Sequence, residues 1–192
     1  IIFCSNATHA LNTAIFGMAV GGKRIIISDM EHNSVSRPVY MLKKWGVCRV
    51  DVFDSGDDDT AAVEGFEACL RNDTCLAVVT RASNVTGRVL PIEEIYKICK
   101  RRGIPLIVDG AQSSGHIDSG GGDIICMPGH KGLYGPQGTG ILAVKGDLSR
   151  LRPLTYGGTG TSSAELYPDP LMPESYEAGT ANCPGIAGLK AG

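Results

Sequence analysis

The stretch Ile124-Ile125-Cys126-Met127-Pro128-Gly129-His130-Lys131-Gly132-Leu133-Tyr134-Gly135-Pro136-Gln137-Gly138 decides how the fold is read. A short apolar run stops abruptly at glycines, a histidine and a lysine. Runs of this length and composition, bounded by turn residues, read as strands covered on both faces. Glycine lets the backbone approach a ligand and adopt positive φ. A lysine in so tight a loop, off a strand end, has less freedom than a surface lysine. Taken alone, Lys131 reads as a solvated loop residue, because lysine is rarely buried without a partner. The alternative is a reactive amine that forms a Schiff base.

Working outward, similar runs occupy residues 1–4, 24–28, 48–53, 75–80, 105–108 and 140–144, and the run in the opening stretch covers 123–127. Helical periodicity fills the spaces between. Residues 7–20 place Leu11, Ile15 and Met18 on one face, with Asn6 or Thr8 as a cap. Residues 35–45 repeat Val35, Val39 and Leu42, and residues 61–71 repeat Val63, Phe66 and Leu70. Residues 91–101 open on a proline suited to a first turn, repeat Ile92, Ile95 and Ile98, and stop before Gly103. Strands alternating with helices in this way argue for an α/β fold with a mostly parallel sheet and helices on both faces. The last two strands are joined only by a glycine-rich loop, so one of them is expected to run antiparallel. Beyond Lys145 the chain turns polar and rich in Pro and Gly, with Gly157-Gly158-Thr159-Gly160 and then Pro168, Pro170 and Pro173, as in a surface excursion.

Composition narrows the classes. The chain has 192 residues, 43% hydrophobic and 20% charged, enough for one well-cored domain. A net charge of −2 gives no sign of a broad nucleic-acid or acidic-membrane surface. No apolar run approaches a membrane span. The chain starts inside a strand-like run without an initiator Met and ends inside a helical one, so a fragment of a longer protein is expected. Seven cysteines with no C-x-x-C spacing read as reduced thiols of a cytoplasmic protein, and the histidines do not cluster with them as a zinc site would require. Gly17-Met18-Ala19-Val20-Gly21-Gly22-Lys23 nearly matches a P-loop, but it runs from helix to strand and lacks the Ser/Thr. Residues 135–140 are not G-x-G-x-x-G, and Ser113 and Ser114 lack a nucleophile-elbow pattern.

In sheets of this kind ligands bind beyond the carboxyl ends of the strands. Ser5-Asn6-Ala7-Thr8, Asp29-Met30-Glu31-His32, Ser83-Asn84, Asp109-Gly110-Ala111-Gln112 and His130-Lys131 all fall there. Asp109 could cap a following helix, or it could hold a metal or a protonated ring nitrogen. Lysine with an aspartate from a neighbouring strand end is the pair expected for pyridoxal phosphate. Gln112 could then donate to the ring oxygen. His32 reads as a satisfied polar residue or as a group stacked on a cofactor. Ala7 and Thr8 open a helix whose free N–H groups favour a phosphate.

At this point the residues resemble a family. The blocks Ala7-Thr8-His9-Ala10-Leu11-Asn12, Met30-Glu31-His32-Asn33, Ser83-Asn84-Val85-Thr86-Gly87, Val108-Asp109-Gly110-Ala111-Gln112, Gly129-His130-Lys131 and Glu177-Ala178-Gly179-Thr180-Ala181-Asn182 are similar, in order and spacing, to the class V aminotransferases, above all the cysteine desulfurases and selenocysteine lyases. The resemblance implies a three-layer α/β/α fold-type I large domain over residues 1–192, with a seven-stranded mixed sheet, and an N-terminal segment and C-terminal small domain beyond it. It implies that Lys131 carries the pyridoxal phosphate aldehyde and moves protons. Asp109 would pair with the pyridine nitrogen and Gln112 with the ring oxygen, while His32 stacks on the ring. Ala7, Thr8 and His130 would hold the phosphate, Asn84 would lie near the ring and the substrate carboxylate, and Thr180 would reach the phosphate of a partner subunit in a homodimer.

The implied reaction takes L-cysteine to alanine. Lys131 removes the Cα proton, and a cysteine thiolate then attacks the substrate sulfur to leave an enzyme persulfide, which a sulfur-acceptor protein could relieve. Transamination, racemisation or selenocysteine cleavage is the alternative, and a scaffold that has lost its chemistry is the non-enzyme one. Three residues depart from the pattern: His9 in place of Glu, Pro128 in place of a phosphate-binding Ser or Thr, and an extra Gly132 after the lysine. None of the seven cysteines is assigned the nucleophile, which the resemblance puts in the C-terminal domain together with an arginine for the substrate carboxylate.

Overall fold

A computed structural model of the chain describes residues 1–145, 149–160, 164–166 and 171–192. Pro168 and Pro170 of the polar stretch therefore lie outside the described residues. The elements run β1 (Ile2–Cys4), α1 (Ala7–Met18), β2 (Arg24–Ser28), α2 (Asn33–Lys44), β3 (Arg49–Phe53), α3 (Asp59–Cys69), β4 (Thr74–Thr80), α4 (Ile92–Arg102), β5 (Leu106–Asp109), β6 (Ile124–Pro128) and β7 (Gly140–Val144). A 3-10 turn (Glu174–Tyr176) and α5 (Cys183–Ala191) follow.

The strands form one seven-stranded sheet in the order β1-β7-β6-β5-β4-β2-β3. Neighbours from β6 to β3 are parallel, and β7 is antiparallel to both β6 and β1. The short loop after β6 explains the reversal, since a parallel return would need a crossover helix.

Alternation along each inner strand feeds two cores. Ile25, Ile27, Leu76, Val78, Ile107, Ile124 and Cys126 point to the face covered by α1 and α2, where they meet Leu11, Ile15, Val35 and Val39. Ile26, Ala77, Val79, Leu106, Val108 and Ile125 point to the face covered by α3 and α4, where they meet Phe66, Ile95 and Ile98. Continuous apolar runs are thus what a three-layer α/β/α fold demands, with each buried Leu or Ile worth ~1.5–3 kcal/mol. The edge strand β3 is the exception: Arg49 and Val52 are exposed, and Phe53 alone of its residues is fully covered, edge-on to Phe66 at 5.5 Å.

Helix ends differ from the periodicity by one or two residues, and the caps show why. Asn6 accepts the His9 N–H, so α1 begins at Ala7. It ends at Met18, because Ala19 has already turned to ψ 136°. Pro91 precedes α4 as its cap rather than opening its first turn, and Gly103 ends that helix in the left-handed region at φ 64°. The start of α2 at Asn33, ahead of the expected residue 35, follows from His32 acting as its cap.

Candidate functional site

The carboxyl ends of β2, β4, β5 and β6 and the start of α1 open onto one cleft of about 180 Å³. Its wall includes Ala7, Thr8, His32, Asn84, Asp109, Gln112, His130 and Lys131. Eight of the nine candidate positions therefore meet in one place. The ninth, Thr180, is exposed and borders a second cavity of about 220 Å³, beside Cys4, His9 and Glu177. Pro128 also lines the first cleft, presenting a carbon ring with no hydroxyl.

Asp109 closes β5 and is 2% exposed. Its Oδ1 accepts the Ala111 N–H at 2.9 Å, and Oδ2 has no hydrogen-bond partner among the described residues. It therefore caps a turn and still has an oxygen for a ligand; no helix follows for it to cap. Burial pushes this carboxyl above its ordinary range, while the Ala111 N–H, His32 and Lys131 oppose that rise.

Lys131 follows β6, and β6 pairs with β5 so that Cys126 lies opposite Asp109. The turn that holds Lys131 is closed across its base. Gly129 N donates to Thr139 O at 2.9 Å, Gly135 N to Gly129 O at 2.7 Å and Tyr134 N to Lys131 O at 2.9 Å. Tyr134 sits at φ 53°, a conformation a bulky residue adopts only when its surroundings impose it. Gly132 is buried, and a Cβ there would overlap the Ser114 carbonyl. Gly132 thus lets the lysine turn sit directly on the turn after β5.

His32 does two things at once. Its Nδ1 accepts the Ser34 N–H at 3.1 Å as the cap of α2, which leaves the proton of a neutral ring on Nε2. Ser34 Oγ lies 2.9 Å from the same nitrogen and 2.7 Å from Thr8 Oγ1. Thr8 and His32 are thereby joined through one hydroxyl. Ser34 was not singled out by the sequence, although a small polar residue two places after a capping histidine is a signal of this arrangement. The N–H groups of Ala7 and Thr8 precede the first intrahelical bonds of α1 and are unpaired among the described residues, as an anion site requires.

Two further residues brace the rim. Arg81 makes a two-pronged contact to Glu93 at 2.8 and 2.8 Å and donates to the Leu90 and Asp118 carbonyls, fixing the loop that carries Asn84. Glu31 reaches from its turn to the Thr80 N–H at 2.8 Å. All seven cysteines are free and none lines the cleft. Burial pushes the Cys4 and Cys99 thiols up to about 12 and Cys126 well above its ordinary range, so none of these three is an available thiolate. Among the described residues no group of three or more His, Cys, Asp and Glu could hold a metal ion. Among the same residues no helix is long and apolar enough to cross a membrane. The cleft offers an amine, a buried carboxylate, an imidazole and a helix N-terminus. That set suits an aromatic, phosphorylated aldehyde.

Residues 1–192 match the family model described as aminotransferase class-V. A protein of Xylella fastidiosa named "Probable cysteine desulfurase" is 32% identical over all of this chain and 48% of its own length. "Cysteine desulfurase IscS" of Dictyoglomus turgidum is 34% identical over 98% of this chain and 46% of its own length. Among solved structures, the cysteine desulfurase from Thermococcus onnurineus in its apo form superposes with a TM-score of 0.86 at 29% identity, covering 99% of this chain and 50% of that one. DndA from Streptomyces lividans gives 0.82 at 29% identity, covering 99% and 53%. The chain spans about half the length of the relatives it matches.

Proposed function

The chain belongs to the aminotransferase class-V family, and we propose on that premise that it is the pyridoxal-phosphate-binding large domain of a cysteine desulfurase. The observation that carries this reading is the pairing of Lys131 and Asp109, held at the ends of adjacent strands and lining one cleft with His32 and Gln112. The cleft passes a test of fit. Asp109 is a buried residue with one carboxyl oxygen left without a partner among the described residues, the α1 N-terminus has unpaired N–H groups, and the lysine turn is fixed by three backbone hydrogen bonds.

When bound, pyridoxal phosphate supplies an electron sink for the bond broken at the substrate Cα. Lys131 Nζ would hold its aldehyde and is the base that would take the Cα proton. Asp109 would keep a proton on the ring nitrogen. Gln112 would donate to the ring oxygen. His32 would cover the ring face with its proton on Nε2, held in that tautomer by Ser34. Ala7, Thr8 and His130 would bind the phosphate, and Asn84 would orient the substrate carboxylate. Pro128 would withhold one hydroxyl from the phosphate. At about 180 Å³ the cleft is smaller than the ~300–1,000 Å³ of complete ligand pockets. Thr180 of a second subunit in a homodimer, and residues beyond these 192, complete it.

L-Cysteine is the substrate, alanine and an enzyme persulfide are the products, and a protein acceptor takes the sulfur. The attacking cysteine and the arginine that binds the substrate carboxylate come from the C-terminal domain. Seven reduced thiols fit a cytoplasmic setting. The test is the full-length protein incubated with L-cysteine and a reductant. Alanine and sulfide in equal amounts, abolished by Lys131→Ala, are expected. Alanine-free turnover, a keto-acid product or activity that survives Lys131→Ala would overturn the reading.

A further inference from the structure

After β2 the chain turns back through Asp29 and Met30, which brings the Glu31 carboxyl beneath the end of β4. Glu31 Oε1 accepts from the Ser28 hydroxyl at 2.5 Å and from the Thr80 N–H at 2.8 Å. The Ser28 oxygen itself accepts the Met30 N–H at 3.3 Å, so its own proton is directed at Glu31. Oε1 thus receives two donors and carries no proton. Oε2 is shielded from solvent and has no hydrogen-bond partner among the described residues.

Thr80 is the ladder neighbour of Asp109, and the Asp109 charge acts on Glu31. The Glu31 carboxyl, reaching from beyond β2, therefore lies at the end of β4, beside the end of β5 that carries Asp109; Glu31 is half-buried with its Oε2 shielded, and Asp109 is buried. Two ionised groups so placed oppose each other, and one gives up its charge. Asp109 receives an N–H from Ala111 and faces His32, at the start of α2, and Lys131, after β6; both favour its ionised form. Glu31 is offered the Ser28 hydroxyl from β2 and the Thr80 N–H from β4, and the charge acting on it is that of Asp109, of its own sign. An ionised Glu31 would leave charge on an oxygen with no donor. A neutral acid leaves one O–H unpaired, which costs far less. Burial, with Asp109 adding to it, raises this carboxyl to about 8 against the two hydrogen bonds.

We propose that Glu31 is a positioning residue that keeps its proton on Oε2, so that the site holds one carboxylate and Asp109 is that one. The proposal rests on the reading of Asp109 as the ring-nitrogen partner, and it adds a neighbouring acid that stays neutral beside the Asp109 charge. It acts through Asp109 and through the turn leading to His32, and it touches neither cofactor nor substrate.

The test uses full-length protein. Infrared spectra of the apoprotein at pH 7 should contain a carboxylic-acid C=O band that moves when glutamate is ¹³C-labelled and is lost in Glu31→Gln. The band should fade as pH rises through about 8. In the pyridoxal-phosphate-loaded protein, Glu31→Gln should leave the pH midpoint of the visible cofactor band within about 0.3 unit of wild type. Glu31→Ala, which deletes the acceptor for Thr80, should weaken cofactor retention severalfold, and Gln should restore it. Absence of the labelled acid band at pH 7, or a midpoint shift of about a unit or more in Glu31→Gln, overturns the proposal. The label reads the native protein, so the answer stands even if a variant fails to fold. The apoprotein spectrum is independent of Lys131 chemistry, so failure of the pyridoxal reading would be seen separately, as a visible band that Lys131→Ala leaves intact.

Discussion

Replacing Gly132 by alanine tests how the lysine is held. A Cβ at this position would overlap the Ser114 carbonyl oxygen and stand 2.8 Å from His116 Nε2. The His116 ring can swing away, because the residue is exposed. The Ser114 carbonyl cannot, because its turn is closed by Ser114 N to Gly110 O at 3.0 Å and by His116 N and Ile117 N to Ser113 O at 2.9 Å each. Gly115, next along that turn, sits at φ +83° and faces the Gly132 backbone, so the two turns already touch through glycines. The movement falls on the Lys131 turn, which must retreat by about 1 Å, and a misplacement of that size is worth ~10² in rate. Overpacking of this kind also costs ~1–3 kcal/mol of stability. The assay is turnover of the full-length, cofactor-loaded protein, with the visible cofactor band read beside it. Gly21→Ala is the control, since its Cβ would meet nothing within 4 Å and its φ is not in the left-handed region. Gly132→Ala at wild-type rate, with an unchanged band, would refute the claim that packing between the two turns aims Lys131.

Two further outcomes follow from the same geometry. Pro128→Ser restores a hydroxyl on the cleft wall; a hydrogen bond to a charged phosphate is worth ~1.5–3 kcal/mol, so cofactor loss on dialysis should slow about tenfold or more, and an unchanged loss rate would show that Pro128 does not face the phosphate. Glu31→Gln should change how stability depends on pH. The wild-type carboxyl titrates near 8 when folded and near 4.5 when unfolded, so its contribution is complete below about 4.5 and is lost as pH rises through about 8. Denaturant unfolding of wild type and variant should therefore diverge, in favour of the variant, by up to about 1.4 kcal/mol per pH unit between roughly pH 5 and 8. Parallel curves would mean that the group is ionised in the folded protein.

The strands were legible because each inner one is buried on both faces, which makes runs such as Leu106-Ile107-Val108 unmistakable. The reversal of β7 was legible from the length of the loop before it. Strand order was not: β1 pairs with β7 and β2 lies between β3 and β4, and such pairings depend on distant contacts that leave no local pattern. Eight candidate residues converge because strand-end position fixes where a side chain starts. Where the chain goes after a strand end was harder. Glu31 was seen only as the neighbour of His32, because its backward turn onto Thr80 depends on the β4 ladder. The capping role of His32 was hidden as well, since histidine is an uncommon cap and the partner Ser34 looked like ordinary helix surface. Thr180 lies on a cavity of its own, because its segment returns beside β1, with Glu177 accepting the Phe3 N–H at 2.6 Å.

The central claim is that Lys131 is the amine opposed to Asp109 in a pyridoxal phosphate site. The most direct measurement is borohydride reduction of the full-length, cofactor-loaded protein, followed by proteolysis and mass spectrometry of the modified peptide. A single pyridoxyl-lysine at Lys131 is expected. A label on another lysine, such as Lys23 or Lys145, or no label at all, would contradict it.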